Sequence, residues 1–194
     1  MKQLKIIPVL VLTMFLIQCS EDKQDVSESQ LIAMRVTAAD FMKELKSILI
    51  EQIQTGGVVK AVSVCSDTAQ LLTNDFGVER GVFIKRVSLK NRNKNNYPDN
   101  FEKRALNRFE LLNQNKEINS ETEFAEITTE GDNKYLRYVK PIAIHAECLN
   151  CHGNQSDMIP EVKELLAQEY PHDKATGYKI GDLRGAVSIK KSIE

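Results

Sequence analysis

Cys148-Leu149-Asn150-Cys151-His152-Gly153, CLNCHG, is the stretch around which the rest of the chain is read. Two thiols three positions apart, followed at once by an imidazole, form the attachment signature of a c-type haem. The spacing suits the chemistry: each thiol adds across one porphyrin vinyl group, and the adjacent His152 turns under the ring to ligate iron. Two plainer readings compete with it. A Cys148–Cys151 disulfide leaves His152 without a role. A zinc site built from Cys65, Cys148, Cys151 and a histidine lacks the second paired-ligand knuckle usual in such sites.

Upstream of this stretch, Lys134–Ile142 has the alternation of a strand and pairs with Glu123–Thr129 through the hairpin turn Glu130-Gly131-Asp132-Asn133. Downstream, Ile159-Pro160-Glu161 opens a short helix to Tyr170, and Leu183–Lys191 reads as a final strand. Nearer the N-terminus, a long helix is expected from about Ser29 to Thr55, with Leu31, Met34, Ala38, Phe41, Leu45 and Ile48 on one stripe and Gly56-Gly57 ending it. Val58–Asn74 is ambiguous, a strand at VVKAVSV or a helix at DTAQLLTND. Gly81–Ser88 is β-branched and strand-like, the Asn-rich LKNRNKNNYPDN is a loop, and Pro98 is expected in the first turn of a helix reaching Asn115. These elements make an α+β domain with an antiparallel sheet.

The chain has 194 residues, a formal net charge of −1 and no tryptophan. That length holds one domain with a real core. The near-neutral balance argues against an electrostatic nucleic-acid binder. At the N-terminus, Lys2 and Lys5 precede an apolar run, Ile6–Ile17, too short to span a bilayer comfortably and suited to an export signal. Leu16-Ile17-Gln18-Cys19 resembles the lipobox of bacterial lipoproteins, with Gln18 departing from the usual small residue. Residues 1–18 are therefore expected as a signal peptide, with Cys19 lipidated, 19–29 as a polar tether and 30–194 as the domain. The expected location is the bacterial cell envelope, lipid-anchored to the membrane and facing the periplasm or the surface. An uncleaved N-terminal anchor would have the same consequence for the domain.

If haem takes Cys148 and Cys151, and lipid takes Cys19, one thiol remains, Cys65. Candidates for a second axial ligand are Cys65, His145, His172 and Met158. His145 and Met158 lie close to His152 along the chain, which makes the opposite face hard to reach. Cys65 and His172 are distant enough to approach across a pocket.

Four segments then carry a family resemblance: SVCSDTA, RVSLKNRNKNNYPDNFE, YVKPIAIHAECLNCHG and YPHDKATGYKIGDLRGAVSI. In this order they resemble the single-haem PAS-like c-type haem domain first characterised in cyanobacteria, over about residues 30 to 191. The resemblance implies a PAS-like antiparallel sheet preceded by a long N-terminal helix, helix through both pieces of Val58–Asn74, one covalent haem c, and axial ligation by His152 and Cys65. Lys94 and Tyr97 depart from the family pattern in the loop.

Arg86, Lys90, Arg92 and Arg137 are candidates for pairing haem propionates. The functions expected are one-electron transfer or redox and ligand sensing, with a redox or signalling partner outside the chain. A homo-oligomer is compatible with the sequence. Enzymatic turnover is not expected, because no acid/base pair, nucleophile or substrate motif stands out. The alternative is a haem-free structural lipoprotein.

Overall fold

The computed structural model describes residues 25–193. The signal, the lipobox and Cys19 lie outside the described residues, as does the first part of the tether.

The fold begins with α1 (Glu28–Arg80), which is broken at Gly57 (φ 74°, ψ 179°). Ser27 caps it through a box with Gln30. The Gly57 backbone lies in a region essentially reserved for glycine, and there the helix folds back on itself. The rings of Phe41 and Phe76 meet at 5.2 Å, and Arg80 pairs with Asp40 at 3.0 Å across the two arms. The expected stop at Gly56-Gly57 is thus a reversal, and Val58–Asn74 is wholly helical.

The chain continues through β1 (Phe83–Val87), a 3-10 turn at Lys94–Asn96, α2 (Asn100–Gln114), β2 (Phe124–Glu130) and β3 (Asn133–Ala143). Short turns through Ala146–Cys148 and α3 (Leu149–His152) lead to α4 (Pro160–Glu169) and β4 (Leu183–Ile193). The sheet order is β1-β4-β3-β2, antiparallel throughout. The architecture is therefore α+β, with a long N-terminal helix and a four-stranded antiparallel sheet. Helix α2 starts later than expected. Asp99 is its N-cap, in a reciprocal box with Glu102, and Pro98 stands before the cap.

Strand alternation gives the sheet two buried faces. Ile84, Leu136, Tyr138, Val187 and Ile189 pack against Met34, Phe41 and Phe76 of α1. Val87, Val139 and Ala186 pack against Phe101, Leu106 and Phe109 of α2. Each such fully buried large side chain contributes about 1.5–3 kcal/mol. On the α2 face the buried Glu102 accepts from Ser188 and pairs with Lys85, while Arg137 pairs with Asp99.

On the α1 face, Arg35 grips Glu123 through Nε and Nη2 at 2.9 and 2.7 Å, and the Tyr138 hydroxyl donates to the same carboxylate. The Arg35 hydrogen bonds hold the Glu123 carboxyl below its ordinary value of 4.5. A depressed carboxylate contributes stability above its unfolded pKa and loses it as pH falls through the folded value. Thermal unfolding of wild type should therefore drop more steeply than that of Glu123→Gln below about pH 5. Parallel acid limbs in the two melting series would show that the network does not couple to folding.

Candidate functional site

The α1 face of the sheet does not close completely. Between the two arms of α1, the end of β1 and the turn at Cys148–His152 lies a cavity of about 240 Å³, lined by Cys65, Arg86, Arg92, Cys148, Cys151 and His152 among others. A neighbouring hollow of about 550 Å³ shares Cys65, Arg86 and Cys148 with it and adds His145. The wall is largely aliphatic, with Leu49, Ile53, Val58 and Val62 of α1 facing Leu166 of α4. Glu28–Ser66 is long and apolar enough to cross a membrane by length and composition. Part of that apolarity lines this cavity.

The fold reversal at Gly57 brings Cys65 to the cavity that the CLNCHG turn enters from the other end of the chain. That turn is stitched to residues 173–182 by backbone bonds. Tyr178 N donates to the His152 carbonyl at 3.0 Å, and Gly177 N donates to the Gly153 carbonyl at 2.8 Å. The Arg92 guanidinium completes the clamp, pairing with Asp173 at 2.9 Å and donating to the carbonyls of Cys151 and Ala175.

His152 is oriented from behind. Its Nδ1 stands 2.7 Å from the carbonyl of Ala175. A carbonyl can only accept, so Nδ1 carries the proton and Nε2 keeps its lone pair. Burial holds the imidazole well below its ordinary pKa, the Arg184 and Arg92 charges add to this, and the Ala175 bond opposes it. The ring is neutral, with Nε2 the nitrogen left for a ligand. Tyr178 meets it edge-on at 6.3 Å.

Cys65, Cys148 and Cys151 are free thiols. Burial pushes Cys151 up to about 11. Burial also raises Cys65, with Arg86 and Arg92 pulling the other way. Arg86 is desolvated enough to lower its own pKa, and its Nε is buried with no hydrogen-bond partner.

Other sequence candidates lie elsewhere. Lys90 does not line the cavity; its ammonium sits over the Tyr178 ring at 4.3 Å and donates to the Thr176 carbonyl. Arg137 is on the α2 face, beside Asp99 and Glu102. His172 is exposed, and Met158 is buried in the contact between α4 and Val62.

Sequence reasoning missed Arg184, which lines the cavity with its Nε 3.5 Å from His152 Nε2. The glycine beside it in a strand pattern was the available signal, because an isolated strand glycine marks a bulge. The Ala175 carbonyl had no signal at all.

Over residues 19–192 the chain matches the Tll0287-like family. It belongs to that family. The crystal structure of the cyanobacterial heme-protein Tll0287 superposes with a TM-score of 0.60 at 23% identity, covering 87% of this chain and 98% of that one. The fold is thus shared over most of the chain. None of the curated proteins compared matches the chain.

Proposed function

We propose that this protein is an extracytoplasmic, lipid-anchored c-type haem protein. In this reading it carries one covalent haem ligated by His152 and Cys65, and acts in one-electron transfer or in redox and ligand sensing.

The observation that carries it is the state of His152. Its Nδ1–H is spent on the Ala175 carbonyl, and its Nε2 keeps a lone pair, approached only at a long 3.5 Å by Arg184 Nε, in a cavity that also holds three free thiols. Family membership and the structural likeness to the cyanobacterial heme-protein Tll0287 support it. The donor set fits the group: in this reading Cys148 and Cys151 would hold a porphyrin through thioethers, and His152 and Cys65 would ligate its iron. The aliphatic wall suits an apolar macrocycle, and the partnerless Arg86 Nε suits a carboxylate at its edge. When bound, haem supplies one-electron chemistry and, where a coordination position opens, affinity for diatomic ligands. The chain's own residues orient it, exclude water and set its charge environment. Cys19 is the proposed point of lipid attachment.

The zinc form of the haem-free alternative would need Cys65, Cys148, Cys151 and a histidine gathered around one ion. Among the described residues no group of three or more His, Cys, Asp or Glu side chains is arranged to hold a metal ion.

The test is a denaturing gel of protein produced with cytochrome c maturation machinery and stained for haem peroxidase activity. Wild type should retain the stain after denaturation, and Cys148→Ala/Cys151→Ala should lose it. A stainless wild-type band would sink the proposal. Carbon monoxide binding by the ferrous form would favour sensing; a closed, fast-exchanging haem would favour transfer.

A further inference from the structure

The β4 strand changes register beside the cavity. Ile142 pairs with Gly185, but Ala143 pairs with Leu183, leaving Arg184 as the extra residue of a β-bulge. Gly185 has φ 153°, which accommodates the irregularity. Farther along β4, Val187 and Ile189 point toward α1, whereas Ala186 faces α2. Without the bulge, Arg184 would follow Ala186 to the α2 face. Bulges commonly re-aim a side chain in this way, and here it delivers a guanidinium beside His152.

That guanidinium has hydrogen-bonding capacity to spare. Its recorded contacts are to neutral groups: a 3.3 Å bond from Nη1 to the Lys90 carbonyl, the Tyr178 ring at 5.7 Å, and the long approach to His152. The nearby acid, Asp173, is already paired with Arg92. Burial and the charges of Arg92 and Arg86 all disfavour the Arg184 cation, with Tyr178 and Asp173 opposing. Arg86 lines the same cavity, on the Cys65 side, with its Nε partnerless. Desolvated, unpaired guanidiniums are costly in isolation. Two of them sharing one cavity suit a ligand bearing two negative charges.

We infer that Arg184 and Arg86 are the paired carboxylate receptors of this site, each taking one propionate of the bound porphyrin. Arg92 instead clamps the attachment turn, and Lys90 lies outside. The inference rests on the haem reading above and deepens it by assigning the anionic edge of the cofactor. Lys90 and Arg92, named from the sequence, give up that role to Arg184.

Reversible binding separates charge recognition from structural support. The full chain carrying Cys148→Ala/Cys151→Ala is titrated with haemin and with its dimethyl ester, which has no free carboxylates, and affinity is read from the Soret band. Adding Arg184→Gln or Arg86→Gln should weaken haemin binding on the order of ten- to a hundredfold, as expected for a charge-assisted pair. Ester binding should change by less than about threefold on the same scale. Arg184→Lys, which keeps the charge and guards against a folding defect, should fall between, and Lys90→Gln should match its parent.

Equal weakening of both porphyrins by Arg184→Gln would make Arg184 a support for His152 and overturn the assignment. So would no weakening of haemin, or a loss with Lys90→Gln instead. If the parent bound neither porphyrin while wild type kept its haem stain, the arginine assignment would fall and the haem reading would stand; a stainless wild type would remove both.

Discussion

Replacing Cys65 with alanine should turn a low-spin ferric haem high-spin and raise its midpoint potential by roughly 100 mV, well beyond the 59 mV that corresponds to tenfold in a one-electron couple. The expectation follows from position and charge. Cys65 is a third thiol in the cavity of His152, and it reaches that place because the helix reverses at Gly57. The other sequence candidates are poorly placed to replace it: His172 is exposed, and Met158 is packed under α4. His145 lies in the adjoining hollow, three residues before Cys148 on the attachment turn itself.

A bound thiolate brings a negative charge into a desolvated pocket and stabilises ferric over ferrous iron. Burial alone would keep this thiol protonated, so deprotonation has to be driven by a metal, with Arg86 and Arg92 assisting. The substitution removes only a sulfur atom from a helical, half-buried position, so the melting temperature serves as a control. Absorption and electron paramagnetic resonance spectra of the ferric protein decide the matter. A low-spin spectrum identical to wild type would refute thiolate ligation.

How far the sequence could be read depended on whether each residue answered to one neighbour or several. The hairpin of β2 and β3 and the edges of β4 were readable, because alternation and a turn at Gly131-Asp132 report a single local geometry. Val58–Asn74 was not readable from its own pattern, and only the resemblance favoured the helix found there. Val62 faces both the cavity and α4, while Phe76 packs on Phe41 of the other arm, so the apolar pattern serves several surfaces and blurs the helical period. Gly56-Gly57 was read as a stop because a glycine pair gives the same local signal for termination and reversal. Only the tertiary pairing of Asp40 with Arg80 distinguishes them.

Within the site, Cys148, Cys151 and His152 announced themselves by spacing, whereas the position of Cys65 could be inferred only from likeness. Arg184 is hidden because strand alternation alone would put it on the α2 face with Ala186, and only the bulge re-aims it. Lys90 lies in the segment that carries the resemblance, and nothing in the sequence says that its side chain turns to the Tyr178 ring instead of the cavity.

Gly185→Ala should be among the most damaging single substitutions in the domain, costing about 3 kcal/mol or more. Two effects add. The residue has φ 153°, a conformation that side chains rarely adopt, and a Cβ placed there would stand 2.2 Å from the carbonyl oxygen of Val87 and 3.0 Å from Ser88 Cβ. The first obstacle is backbone within the sheet, so rotating a side chain cannot relieve it. Relaxation would have to part β1 from β4 or undo the bulge. Either movement disturbs the wall of the cavity, since Gly185, Arg86 and Arg184 all line it.

The defect should therefore appear twice: as a loss of about 8 °C or more in melting temperature, scaled for a domain of this size, and as weaker porphyrin retention in the reversible titration. A second variant separates the two. Arg184→Gln leaves the glycine in place and should spare most of the stability while losing the carboxylate preference. If Gly185→Ala melted like wild type, the close approach of β4 to Val87 would not be a constraint on this fold. If it lost stability but bound haemin and the dimethyl ester with unchanged affinities, the bulge would shape the sheet without shaping the site.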